Sequence, residues 1–170
     1  DGMAPGMGIQ DERMNGVPNG NIYEGAYADE QQAVANFKKV LIMLLGSAAQ
    51  QAMGGQLNLK TEQEILMNLS DIIIEIFNAE STLMRVLKIA ESYPDKDLDL
   101  YNAILKTHLH DATGRVTKHA TDAIASFIPT EMQGAFVTGV RKYTKYPLQN
   151  IKENRRKIAT SMSTAAKYAL

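Results

Sequence analysis

Apolar residues recur along most of this chain at the three- and four-residue spacing of a helical face. Val34, Phe37, Leu41, Leu44 and Ala48 form the first series, which predicts a helix from about Tyr27 to Met53, ended by Gly54-Gly55. Thr61 and Glu64 stand three apart, the arrangement in which hydroxyl and carboxylate satisfy free N–H groups at a helix start, so a second helix is expected there. Its face runs through Ile65, Leu69, Ile72, Ile76, Leu83, Leu87 and Ala90, interrupted by Glu80, until Pro94 forbids continuation. A third helix, capped by Asp95 or Asp97, carries Leu98, Tyr101, Leu105, Ala112, Val116, Ala123 and Phe127 as far as Ile128, and Pro129 closes it. Thr130 with Gln133 opens a shorter helix to about Lys145, weakened by Gly134 and Gly139. Asn150 with Glu153 opens the last, with Ile158, Met162, Ala165 and Ala169 facing inward. No alternating strand pattern or solenoid repeat interrupts the series. The expected fold is all-α: an antiparallel bundle of about five helices over residues 27–170.

The first 25 residues break the pattern. They hold six of the 12 glycines and two of the five prolines, and residues 1–26 are expected to be a disordered or extended linker, or a remnant of a larger chain. They lack the cationic start and apolar stretch of a signal peptide. The longest apolar run, Val40 to Leu45, is far shorter than the roughly twenty residues of a membrane span.

Composition then removes several classes of chemistry. There is no cysteine among the 170 residues, which excludes disulfides, thiolate zinc sites, iron–sulfur clusters and cysteine nucleophiles, and fits a reducing, cytoplasmic setting. The net charge is −1, so no global field attracts nucleic acid, and no nucleic-acid partner is expected. No phosphate loop, dinucleotide fingerprint or serine elbow is present.

The remaining polar clusters each have a functional and a structural reading. His108, His110 and Asp111 crowd together, but His108 and His119 stand roughly 16 Å apart along a helix, too far to share one ion. Both fall in the apolar register, which suits partly buried, hydrogen-bonded histidines, so no metal is assigned. Asp71, Glu75 and Glu80 either form a polar seam against another helix or face solvent. Between Arg141 and Lys157, seven cations (Arg141, Lys142, Lys145, Lys152, Arg155, Arg156 and Lys157) oppose the single acid Glu153. With Tyr143 and Tyr146 interleaved, that segment suits either contact with anionic lipid head groups or nucleic-acid phosphates, or a solvated turn with a cationic face.

The stretch Glu62 to Arg85, Glu-Gln-Glu-Ile-Leu-Met-Asn-Leu-Ser-Asp-Ile-Ile-Ile-Glu-Ile-Phe-Asn-Ala-Glu-Ser-Thr-Leu-Met-Arg, resembles the additional C-terminal helical domain of bacterial acyl-CoA dehydrogenases of the very-long-chain type. Tyr27-Ala28-Asp29-Glu30, Asn36-Phe37-Lys38-Lys39 and Gly46-Ser47-Ala48-Ala49 are similar to that domain's first helix, and the likeness extends over about residues 27 to 168. The resemblance implies a non-catalytic domain of a fatty-acid β-oxidation enzyme. Its FAD and acyl-CoA sites would lie in an upstream catalytic portion, and its own role would be to pack on that portion and support a homo-oligomer, with membrane-peripheral contact. No catalytic, cofactor-binding or metal residue is then expected within the chain. Ile22-Tyr23-Glu24-Gly25 looks like the family's catalytic-base motif, but Ala26 stands where the motif has Thr and Glu24 precedes the first appended helix by only a few residues. Glu24 is therefore not assigned as a base. The alternatives are an independent helical adaptor and a peripheral membrane module.

Overall fold

The computed structural model describes residues 23–165, and the linker expected at 1–26 lies outside them except for its last four residues. Five helices follow: α1 Ala28–Met53, α2 Gln63–Ser92, α3 Asp99–Phe127, α4 Thr130–Tyr143 and α5 Ile151–Ala165. Among the described residues there is no strand. The predicted helices are all present.

Cross-helix contacts give the register. Lys38 meets Glu80, setting α1 and α2 as an antiparallel hairpin, and Asn68 and Glu75 meet His119 and Arg115, setting α3 antiparallel to α2. Along α4, Gly139 lies against Met43 and the Tyr143 ring receives Lys39, so α4 runs antiparallel to α1. Helix α3 is the axis of the bundle: it touches each of the other four, and its Leu105, Leu109, Ala112, Val116, Ala120 and Ala123 are fully buried. Four alanines on its buried face let neighbours approach closely without a wide core. Phe37, Val40 and Leu44 of α1 and Ile65, Ile72, Ala79, Leu83 and Val86 of α2 complete the core. Ala79 carries the register past the interruption that Glu80 makes in the apolar series.

The helix starts depart from expectation. Thr61 is held in a turn in which both its N–H and its hydroxyl donate to the Asn58 carbonyl, each at 3.0 Å, so the capping pair with Glu64 does not form and α2 begins two residues later. At α4 the helix begins with Thr130 itself after Pro129, and the Gln133 amide donates back to the Ile128 carbonyl at 3.0 Å. Both sequences offered a cap, and the preceding turn took the hydroxyl or amide instead. Asn150 does accept the Glu153 N–H at 3.3 Å, and Asp97 accepts the Asp99 N–H at 2.9 Å. Helix α4 stops at Tyr143, before Lys145, where the Thr144 hydroxyl donates to the Val140 carbonyl at 2.9 Å.

The larger correction concerns α5, which buries no residue. Ile151 and Ile158 are half-buried against the bundle, while Met162 and Ala165 are exposed, and Ala169 lies outside the described residues. Partly exposed ion pairs add to that half-buried contact. Arg155 donates to both carboxylate oxygens of Asp111 at 3.0 Å, and Lys157 reaches Asp99 at 2.5 Å. Asp99 and Asp111 are roughly 18 Å apart along α3, so the two pairs fix the direction of α5 as well as its position.

The two glycines of α4 separate by environment. A Cβ on Gly134 would meet nothing within 4 Å, whereas one on Gly139 would meet the Met43 sulfur at 3.1 Å. Gly134→Ala should therefore stabilise the fold by about 0.5–1 kcal/mol through helix propensity. Gly139→Leu should destabilise it by about 1–3 kcal/mol through overpacking, both read from urea unfolding midpoints.

Candidate functional site

Polar residues concentrate along the sides of α2. Glu75 accepts from the Arg115 guanidinium in a two-point contact at 2.5 and 2.8 Å, Glu80 from Lys38 at 2.5 Å, and Asp71 stands 3.5 Å from the His119 ring. Glu75 is largely covered in this seam, while Asp71 and Glu80 each meet a neighbouring helix and remain partly exposed. His119 Nδ1 also lies 3.2 Å from Asn68 Oδ1, so this histidine is partly buried and hydrogen-bonded, as its register predicts. His108 differs: its buried Nε2 makes no hydrogen bond. Burial, then the nearby Arg115 cation, pushes its pKa below 6.5, against smaller opposing effects of Glu75 and Asp111. His110 is exposed, and no group of three potential ligands that could hold a metal occurs among the described residues.

Sequence alone did not reveal one buried polar pair. Glu30, in the first turn of α1, is only 5% exposed, and its carboxylate accepts the hydroxyl of Tyr146, 116 residues away, at 3.0 Å. Burial, with Glu30 and Asp29 alongside, drives the Tyr146 pKa far above 10. Glu30 stands in the register of the α1 apolar face, four residues before Val34, but nothing in the spacing pointed to Tyr146 as its partner.

The seven basic residues do not form one field. Arg141 and Lys142 lie exposed in the last turn of α4, where cations favour the helix C-terminus, and Lys145 is exposed just beyond. Lys152 and Arg156 flank Glu153 at 3.5 and 3.6 Å, while Arg155 and Lys157 are bound to Asp111 and Asp99. The two α3 carboxylates lower the local surplus from six to four. Leu148, between α4 and α5, is 99% exposed beside these cations.

Glu24 is exposed in the turn before α1, next to Gly25, whose φ of +97° favours glycine. Tyr23 lines a groove of about 220 Å³ between α1 and α2, together with Val34, Lys38, Leu83, Met84 and Leu87. Opposite the core, α2 presents Ile73, Ile74 and Phe77 to the outside, Phe77 at 69% exposure. The signal for this face was present in the sequence as a second apolar stripe, offset from the first by half a turn of helix.

The family model for the acyl-CoA dehydrogenase C-terminal domain matches residues 36–142. The chain belongs to that family. It is 27% identical over 165 residues, 95% of its length, to a probable acyl-CoA dehydrogenase of Bacillus subtilis (strain 168), of which it covers 27%. It also superposes with a TM-score of 0.79, at 24% identity, on the crystal structure of an acyl-CoA dehydrogenase complexed with FAD from Bacillus anthracis, covering 88% of this chain and 25% of that one. This second likeness concerns the fold. The chain thus spans about a quarter of the length of both proteins. In this acyl-CoA dehydrogenase C-terminal domain, no helix among the described residues is long and apolar enough to cross a membrane.

Two substitutions test the buried polar groups of the domain. Tyr146→Phe removes a donor from the buried Glu30 carboxylate and should lower stability by about 1–3 kcal/mol, measured by urea unfolding at pH 7. For His108 the unfolded chain takes up a proton near pH 6.5 that the folded bundle refuses until a lower pH, so stability falls as pH drops through that window. In His108→Gln the fall in urea midpoint between pH 7.5 and 5.5 should be smaller than in the wild type.

Proposed function

We propose that this chain is the appended C-terminal helical domain of an FAD-dependent acyl-CoA dehydrogenase of the very-long-chain type, acting in fatty-acid β-oxidation in the cytoplasm. The domain is itself non-catalytic. It packs on the catalytic portion of its own polypeptide and supports the enzyme's quaternary assembly as a homo-oligomer. The observation that carries this reading is the combination of a family match with a coverage of only 27% of the Bacillus subtilis relative. Flavin chemistry requires groups that hold the ring, ribityl chain and pyrophosphate, together with a base beside the substrate α-carbon. Groups of that kind are assigned to the upstream catalytic portion, and Glu24 is exposed on the turn before α1.

The purified 170-residue chain should be colourless and inactive on acyl-CoA of any chain length, while the natural gene product that contains it should show a flavin absorption band and dehydrogenate acyl-CoA. Flavin bound stoichiometrically by the 170-residue chain, or turnover by it alone, would refute the assignment.

A secondary role rests on Leu148, an exposed leucine among cations. Arg141, Lys142, Lys145, Lys152 and Arg156 surround the α4–α5 connection, whereas Arg155 and Lys157 serve the α5 contact, so membrane-peripheral binding would use the first group. Each cation near an anionic surface adds about 1 kcal/mol. In flotation with phosphatidylserine vesicles at low salt, Arg141→Glu with Lys145→Glu should reduce recovery of the chain, and no recovery of the wild type would leave the segment as a solvated turn.

A further inference from the structure

Every charged residue on α2 between Glu64 and Arg85 is directed sideways. Asp71 and Glu75 turn to α3 and Glu80 to α1. The positions left facing outward over the same span carry only Leu, Met, Ser, Ile, Phe and Asn. From Leu66 to Met84 this charge-free face is roughly 27 Å long. Helix α1 extends it. No charged residue occurs from Val40 to Leu59, and Ile42 and Leu45 are exposed. The register that sets Lys38 against Glu80 brings Ile42 to the level of Phe77 and Leu45 to that of Ile73. The exposed small residues Gly46, Ala49 and Ser70 keep the face low, and a Cβ on Gly46 would meet nothing within 4 Å. A two-helix face without charges, with an exposed aromatic at its centre, has the character of an interface rather than of a solvated surface.

We infer that this α1–α2 face is the docking surface for the upstream portion of the same polypeptide, and not for a second copy of the bundle. The inference rests on the reading of the chain as an appended domain, and it names the surface that does the packing. The family model is that of a C-terminal domain, and about three-quarters of the Bacillus subtilis relative lies outside the part this chain matches. Polypeptide preceding the bundle reaches it through Tyr23, and Tyr23 lines the same groove as Met84, at one end of the charge-free face. An upstream portion is therefore delivered beside the face at the millimolar effective concentration of a short tether, which a second copy at micromolar concentration does not match. The Lys38–Glu80 pair stands beside the groove and outside the charge-free face.

The chain contains no cysteine, so an introduced thiol reports on one position at a time. Phe77→Cys is compared in the 170-residue chain and in the full natural gene product, with maleimide labelling at that position followed by peptide mass. Labelling should be at least about tenfold slower in the full product and independent of protein concentration in both, while Lys152→Cys, on α5, which touches α3 and neither α1 nor α2, should label at equal rates. Equal rates for Phe77→Cys in the two proteins would overturn the assignment of this face. Slowing in the 170-residue chain as its concentration rises would overturn it in favour of a second copy. The flavin band of the same full-length preparation tests the parent-enzyme reading separately, since a colourless product would refute that reading and leave the labelling comparison intact.

Discussion

The structure depends on α3 being able to touch four helices at once. A helix so enclosed is usually apolar all round, yet α3 carries Asp99, His108, Asp111, Arg115 and His119 among its buried Leu, Val and Ala positions. The alanines solve the steric part of the problem, because Ala103, Ala112, Ala120 and Ala123 bring neighbours close without displacing one another. The polar residues solve the rest by standing at the boundaries between neighbours. Arg115 and His119 meet α2, and Asp99 and Asp111 meet α5. Helix α3 therefore joins α2 through apolar burial together with the Arg115–Glu75 pair, and α5 through the half-buried Ile151 and Ile158 together with two ion pairs.

That mixture of burial and charge explains which parts of the fold were legible in the sequence. Where burial does the work, spacing reported much of it: Phe37, Leu44, Ile65, Leu69, Ile72 and Val116 were expected inside and are inside, while Val40, Leu109 and Val140, also buried, lay outside the expected series. Proline and glycine punctuation placed the helix ends within a few residues. The failures share a physical cause, because they concern groups whose partners are chosen by three-dimensional neighbours. Thr61 and Gln133 had the spacing of caps but found carbonyls in the preceding turn. Met162 and Ala165 had helical spacing but sit on a helix held by Arg155 and Lys157. Periodicity identifies a face and cannot tell whether a neighbour covers it.

The same limit governed the functional surface. The basic run from Arg141 to Lys157 stood out because cations cluster in sequence, and the fold then supplied Asp99 and Asp111 from more than forty residues away. The face around Phe77 attracted no attention because apolar residues on a helix are ordinarily core, and only accessibility distinguishes the outer stripe from the inner one. The family resemblance was legible for a different reason. The order Asp71, Glu75, Phe77, Ala79, Glu80 and Arg85 encodes which sides of α2 meet α1, α3 and the exterior, so it carries information about packing that composition does not.

The contact between Glu30 and Tyr146 has a consequence for the order of assembly. Helices α1, α2 and α3 join neighbours that are close in sequence, through connections of nine residues or fewer, and such hairpins close quickly. The Glu30–Tyr146 hydrogen bond instead closes a loop of 116 residues. Until α4 and the segment after it arrive, the Glu30 carboxylate remains hydrated in the first turn of α1, and sealing it beneath Tyr146 exchanges that water for a single phenolic donor. By loop-closure entropy this clasp is expected to close after the hairpins of α1, α2 and α3, and it ties the start of α1 to the segment after α4.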